Sequence, residues 1–378
     1  MIYPISYLSG LLYRRVAKPI LFKFMPDDVH EHMTATSKRL QRFRLARWLF
    51  KTVWAYHKPA MLSQTFAGIS YPNPVGLSAG FDKNIELLPL LHAIGFGQTE
   101  VGSITALPCT GNPRPWFHRL PKTKSLVVHS GLGNHGCAEI LPRVAKQIKE
   151  YPALSVLNIS LAKTNCAATA DQANGIADYV AGLQAIKDSG VGDVVTLNIS
   201  CPNAYGGEPF VTADALHTLL TATDKVGVHQ PIYLKMPIDL PWEQFEQLLK
   251  VASKHQIAGL TIGNLAKDRS NMKLKDNLPD SVLGNMGGKP TWELSNNLIR
   301  RTRLAYPDRF VIVGVGGISS AQDAYTKIRL GANMVELITG MIFEGPQVVG
   351  QINRGLVQLL QRDGYSHISQ AVGVDINS

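Results

Sequence analysis

Eight short β-rich runs that alternate with helical stretches constrain this 378-residue chain more than any other feature. They are V-G-L-S-A (75–79), G-Q-T-E-V-G (97–102), S-V-L-N-I-S (155–160), V-V-T-L-N-I-S (194–200), I-Y-L-K-M-P (232–237), G-L-T-I-G-N (259–264), F-V-I-V-G-V-G-G (310–317) and M-V-E-L-I-T (334–339). Most are continuous apolar runs that end in Gly, Asn, Lys or Ser. Strands buried on both faces have this pattern. Strands alternating with helices build a parallel sheet covered by helices, either a closed (β/α)8 barrel or a doubly wound open sheet. The count of eight and the polar residues gathered at the strand ends favour the barrel. The expected fold class is therefore α/β, a (β/α)8 TIM barrel over residues 61–378.

Residues 1–60 read as helices and form an N-terminal helical extension. Val29, Met33, Thr36, Leu40 and Phe43 recur at intervals of 4, 3, 4 and 3, a helical stripe. Asp27, Asp28 and Glu31 sit in the first turn, where the helix dipole favours acids. Lys38, Arg39, Arg42, Arg44, Arg47 and Lys51 load the far end, with Trp48, Leu49 and Phe50 among them. Two roles fit and are compatible: a helix pair packed on the barrel, and a segment lying on an anionic bilayer surface.

Charge sharpens this point. The chain carries a net +10. Residues 1–60 hold 11 Lys+Arg and 3 Asp+Glu, or +8, which leaves +2 for all the rest. A basic segment on a near-neutral body selects an acidic surface as partner. Its aromatics look like helix-packing residues, not bases' stacking platforms, so nucleic acid is not expected. No apolar run reaches the roughly 18 residues of a spanning helix. Arg14 and Arg15 follow the first apolar stretch, the reverse of a secretory signal. Cys109, Cys137, Cys166 and Cys201 show neither C-x-x-C spacing nor a paired His tract, so no metal site and no disulfide framework is expected.

In a barrel the active site lies at the C-terminal ends of the strands. Those ends read Ala79-Gly80-Phe81-Asp82-Lys83, Gly102-Ser103, Asn158, Asn198 to Asn203, Lys235, Asn264, Gly314 to Gly317 and Thr339-Gly340. Asparagine and lysine are poor barrel packing, so they point to a polar ligand across the mouth. The small residues after the seventh run let backbone N–H groups approach an anion, and Thr339-Gly340 adds donors. That is a phosphate cradle; the plainer alternative is a tight turn needing positive φ. Lys83 and Lys235 follow apolar runs directly, which suits binding of phosphate or of a negatively charged ring. Asn198, Asn203 and Asn264 suit a planar substrate carrying amides.

The motifs A-G-F-D-K, N-I-S-C-P-N, V-G-V-G-G-I and T-G-M-I-F-E-G-P together resemble the dihydroorotate dehydrogenase family over about residues 62–362. F-M-P-D-D-V-H-E-H resembles the helical extension of its membrane-associated, quinone-linked class 2 members. The resemblance implies FMN as prosthetic group, hydride transfer from dihydroorotate to flavin N5, and reoxidation by a quinone, a step of pyrimidine biosynthesis. It also implies a peripheral membrane protein, on the cytoplasmic face of the inner membrane if bacterial. By position it assigns Ala79, Gly80, Lys83, Ser103, Asn158, Asn198, Lys235, Gly288, Gly316, Gly317, Thr339 and Gly340 to FMN. It assigns Lys83, Asn198, Asn203 and Asn264 to substrate, Cys201 to the catalytic base, and His30 and Arg119 to the quinone end of a tunnel.

Four positions depart from the pattern. Quinone-linked members have serine as the base and soluble class 1 members cysteine, so Cys201 joins a class 1 base to a class 2 extension. A free thiol ionises near pH 8.5, so a thiolate close to a lysine is expected to be accessible near neutrality. Val128 stands where the family has an orotate-binding asparagine, Leu265 where it has Thr or Ser, and Ile338 where it has a tyrosine near the tunnel. Apolar replacements in a substrate pocket keep a second reading open: a related FMN oxidoreductase acting on another planar amide or enone. A third, a non-catalytic FMN-retaining scaffold, is disfavoured by the retained base and lysines.

Overall fold

The computed structural model describes residues 2–56, 59–152 and 155–377. The eight runs form one closed barrel in chain order. Its strands are β1 (Val75–Leu77), β2 (Gln98–Ile104), β3 (Val156–Leu161), β4 (Val194–Asn198), β5 (Ile232–Met236), β6 (Ile257–Ile262), β7 (Val311–Val315) and β8 (Met334–Leu337). Neighbours are parallel throughout, and β8 closes on β1 through Val335–Val75 and Leu337–Leu77. Strand side chains alternate. The outward set, including Leu157, Ile159, Val195, Leu197 and Leu234, merges with the helices into one large core.

The inward set is layered. At the bottom Val156, Val194, Tyr233, Val313 and Met334 pack under Tyr71, which comes from a hairpin formed by Gln64–Phe66 and Ile69–Tyr71. Above them lies a polar layer of Gln98, Glu100, Asn158, Thr196, Lys235, Thr261 and Glu336, all buried. A barrel that buries this many polar groups near its mouth is built to present them, since apolar residues would pack there at less cost.

Two parts had no clear sign in the sequence. One is the hairpin at the bottom. The other is a three-stranded antiparallel sheet over the mouth, made of Phe117–Leu120, Ser125–Val128 and Asn285–Gly288. Its third strand comes from about 160 residues further along the chain.

The N-terminal segment is helical as expected. Helix Ile2–Leu12 passes through a π-helical turn, Tyr13–Ala17, into Lys18–Leu21; Pro26–Leu40 and Arg44–Trp54 follow. Pro26 begins the second helix, with Asp27 and Asp28 in its first turn and Lys38 and Arg39 in its last. The segment is tied to the barrel by polar contacts. Asp27, buried, accepts the Trp116 N–H at 2.8 Å. Arg114 pairs with Asp28 and Glu31, and Lys38 with Glu86 at 2.7 Å. The Tyr13 hydroxyl donates to the Ile342 carbonyl at 2.6 Å.

The apolar stripe differs from the packed-helix expectation. Val29, Met33, Thr36 and Leu40 line an open cavity, and Met33 remains 48% exposed. Phe43 lies past the helix end, at the start of the next helix, and is exposed. No described helix is long and apolar enough to cross a membrane.

Candidate active site

The strand ends, the antiparallel sheet and the N-terminal helices enclose a cavity of about 530 Å³. Ala79, Gly80, Lys83, Ser103, Asn198, Cys201, Asn203, Lys235, Asn264, Gly288, Gly316, Gly317, Thr339, Gly340, His30 and Arg119 all line it. Asn158 does not. It lies one layer down on β3, where its Oδ1 accepts from Thr196 and its Nδ2 has no partner among the described residues.

One end of the cavity is made of backbone. Gly316 and Gly317 take positive φ, +108° and +72°, and their N–H groups have no acceptor among the described residues. A Cβ at Gly316 would lie 2.5 Å from Thr291 Oγ1, and one at Gly340 would lie 2.0 Å from the Ile318 carbonyl oxygen. Neither position tolerates a side chain. Behind the glycines stands Lys327, fully buried, donating to Ser295 Oγ and to Asn296 Oδ1 at 2.8 Å, with its ammonium 4.7 Å from the Trp292 ring centre. Burial pushes its pKa down to about 7. Close backbone approach, free N–H groups and a buried lysine behind them fit a phosphate group, and so fit the phosphate of FMN.

The other working surface is the loop after β4. Cys201 is half-buried on it, and Asn203 reaches the antiparallel sheet, donating to the Val128 carbonyl at 3.0 Å and accepting from Asn285 at 2.7 Å. Asn264 Nδ2 donates to Asn198 Oδ1, the Ser200 carbonyl and Ser200 Oγ, and its Oδ1 accepts the Leu265 N–H. Asn198 Nδ2 donates to Ser103 Oγ. Asn198 and Asn264 thus form one network with Ser103 and Ser200, and Asn203 a separate one with Asn285 and the Val128 carbonyl. Val128 and Leu265 add apolar surface beside it.

The two lysines differ. Lys235 Nζ donates to Ser78 Oγ at 3.1 Å and pairs with Glu100 at 3.3 Å. Lys83 has no hydrogen-bond or carboxylate partner among the described residues. Its ammonium lies 5.4 Å and 5.6 Å from the Trp116 and Phe117 ring centres. Burial pushes its pKa down to about 8, against the pull of Cys201 and Asp27. A half-buried ammonium that faces a cavity without such a partner can take up an anion.

Cys201 corrects the sequence expectation. Burial pushes its thiol up to about 11, and Glu208 adds to this. The Asn203 N–H, Lys83 and Lys235 act in the opposite direction and do not prevail. The resting side chain is the neutral thiol, not an accessible thiolate. His30 meets Phe81 and Phe117 edge-on at 5.6 Å and 5.7 Å, and burial followed by the Lys83 charge pushes it down to about 4. It is a neutral imidazole. Arg119 donates to the carbonyls of Leu21 and Phe24 and stacks 4.5 Å from Phe22, which pins the N-terminal helices to the sheet.

Sequence reading missed Lys327, Thr291 and the pair Glu100 and Glu336. Lys327 looks like an ordinary helix-surface lysine. E-V-G at the second run was a usable signal, because a glutamate inside a buried strand needs a partner.

Such a barrel, with an anion cradle after β7 and β8 facing a thiol-bearing loop after β4, defines a mouth-site (β/α)8 enzyme that takes a phosphate-bearing ligand. The sequence model of the dihydroorotate dehydrogenase family matches residues 61–360. The chain belongs to that family. It is 36% identical over 379 residues to the dihydroorotate dehydrogenase (quinone) of Deinococcus deserti, covering 96% of this chain and 100% of the relative. It is 31% identical over 386 residues to that of Nostoc punctiforme, covering 97% and 99%. Among solved structures, a ligand-free DHODH from Eimeria tenella superposes with a TM-score of 0.78 at 27% identity, covering 88% of this chain and 97% of that one.

Proposed function

We propose that this chain oxidises dihydroorotate to orotate, with FMN as cofactor and a membrane quinone as acceptor, a step of pyrimidine biosynthesis. The observation that carries it is the facing of Cys201 and the unpartnered Lys83 across a cavity that ends in the glycine cradle. The quinone-linked names of its full-length relatives support the same reading.

Gly288, Gly316, Gly317, Thr339 and Gly340 would hold the phosphate end of FMN, and Lys235 and Ser103, which line the same cavity, would hold the rest of it. FMN, when bound, supplies the hydride acceptor. The Lys83 ammonium orients the substrate's negative charge, and Asn198, Asn203 and Asn264 fix the ring plane. Cys201 Sγ takes the proton from the substrate carbon. It can do so only as thiolate, so the burial that raises its pKa makes it a strong base present in a small fraction. The antiparallel sheet and Asn203 roof the site and exclude water.

Acceptor access runs through the apolar end, past His30 and Arg119. Leu45, Trp48 and Leu49 on helix Arg44–Trp54 are exposed, as are Ile5, Leu8 and Leu12 on the first helix. With the basic residues among them, they make a surface for an anionic bilayer, so the chain is a peripheral membrane protein.

A second reading rests on Val128 and Leu265, which put apolar surface where a ring amide needs a partner, while the amides of Asn203 and Asn264 already bond to protein. It gives a different planar amide or enone as substrate. Anaerobic mixing of the purified yellow protein with L-dihydroorotate separates the two. Bleaching of the flavin band is expected. No bleaching, with the flavin still reducible by dithionite, overturns dihydroorotate and leaves the second reading.

A further inference from the structure

Beneath the cavity, inside the barrel, two carboxyl groups face one cation. Glu100 stands on β2 and Glu336 on β8, both fully buried. Strand β1 runs between them, and its residue at that level is Gly76, paired with Glu336 on one side and Gln98 on the other. A Cβ on Gly76 would lie 2.9 Å from Glu336 Cγ. The missing side chain leaves room for the two glutamates to approach each other across β1, and the Glu100 charge bears directly on Glu336.

Each carboxyl has one oxygen supplied with a donor. Lys235 Nζ donates to Glu100 Oε1 at 3.3 Å, and Gln98 Nε2 to Glu336 Oε1 at 2.7 Å. The other two oxygens, Glu100 Oε2 and Glu336 Oε2, have no donor among the described residues. Ionised carboxylates only accept. Two of them in a buried space repel, and like-charged pairs of this kind retain a proton. One proton supplies the missing donor and removes the repulsion.

We infer that Glu100 and Glu336 share one proton at neutral pH, and that this pair thereby leaves Lys235 facing a single negative charge. Burial, then the Glu100 charge, pushes Glu336 well above the usual carboxylate range, against the pull of Lys235. The other titratable groups near the pair are Tyr233 of β5 and Tyr71 of the bottom hairpin, both pushed up by burial and neutral. With its proton the trio of Glu100, Glu336 and Lys235 is neutral; without it the trio carries −1. Glu336 and Lys235 line the cavity, so this difference is felt by whatever takes up electrons there. The pair acts through Lys235 and is a positioning device, not a catalytic residue. Its effect on a flavin rests on the function proposed above; the shared proton does not.

Infrared spectroscopy of the purified holoprotein tests this at about pH 8, where Asp82, pushed up to about 6, is ionised. The expected result is a carbonyl stretch of a protonated carboxyl in the wild type, shifted in D2O and lost in Glu336→Gln. Absence of the band from the wild type overturns the inference, as does its persistence in the variant. Glu100→Gln serves if the first variant does not fold. The second measurement is the midpoint potential of the bound flavin against pH. The wild type is expected to show a downward step as the pair loses its proton, and Glu336→Gln to lack it. Parallel curves overturn the charge-setting role. The infrared result stands even where dihydroorotate fails to bleach the protein.

Discussion

The two ends of the cavity are built from different materials. The cradle end is backbone: glycines whose neighbours leave no room for a Cβ, backed by a buried lysine. The N-terminal end is side chain: Val29, Met33 and Leu40 on one helix face, held in place by Asp27, Arg114 and Arg119 at its margins. A backbone-made site is fixed once the barrel closes. A side-chain-made wall is fixed only as well as its tethers and its contents allow. The cofactor end should therefore be sensitive to single atoms, and the acceptor end to apolar area.

The largest effect is expected between the two ends, at Cys201. Cys201→Ala should lower the rate of substrate-driven bleaching by roughly 10²–10⁴-fold, the range for a lost general base, while the flavin stays bound; stopped-flow absorbance reads both. In the wild type, kcat/KM should rise with pH through neutrality, because the thiol is held up near 11 and ionisation supplies the base. A rate flat from acid to alkaline pH would remove Cys201 from that role.

Gly340→Ala should strike the cradle alone. Its Cβ has 2.0 Å to the Ile318 carbonyl oxygen, so the loop must shift, at about 1–3 kcal/mol. Flavin content of the purified protein should fall sharply while vesicle binding is retained. The reciprocal variant is Leu45→Ser with Trp48→Ser, at positions 73% and 61% exposed. It should weaken binding to anionic vesicles by about tenfold or more, since each side chain contributes ~1.5–3 kcal/mol when fully inserted, and leave flavin content unchanged. Sedimentation with vesicles checks it. If either variant damages both ends, the division between them is wrong.

The smallest effect is expected at Lys327. Lys327→Met should weaken FMN by about tenfold, ~1.4 kcal/mol, and leave riboflavin unaffected, as measured by flavin fluorescence. The same variant should flatten a pH dependence of stability. The unfolded chain holds this proton up to about 10.5 and the native chain only to about 7. The wild-type contribution is thus full above 10.5 and lost as pH falls toward 7. Denaturant titration without flavin reads the slope.

The barrel was legible because eight doubly buried strands write themselves as continuous apolar runs. What could not be read depends on distance along the chain. Asn285–Gly288 pairs with Ser125–Val128 with no local mark of the partnership. Glu336, like Glu100, signals that a partner is needed, but that the two face each other shows only once Gly76 is seen to leave a gap between them. The Cys201 thiol was misjudged because burial is a tertiary quantity: neighbouring lysines can be guessed from sequence, but the loss of water around a sulfur cannot. Lys163 shows the same limit. It lies buried under the Cys201 loop, donating to the Tyr205 carbonyl at 3.1 Å, and nothing in A-K-T-N marks it as the loop's anchor.

The stripe on helix Pro26–Leu40 has one further consequence. Its residues are patterned as a core, yet they line the cavity. An apolar molecule entering there would bury the stripe's apolar surface. Occupancy and folding of this segment are then linked equilibria: an occupant at a hundred times its dissociation constant adds about 2.7 kcal/mol to the filled form. Under the proposed function, the acceptor is thus also a structural component of the helices that admit it. Protease resistance of residues 26–54 should rise and fall with the supply of quinone.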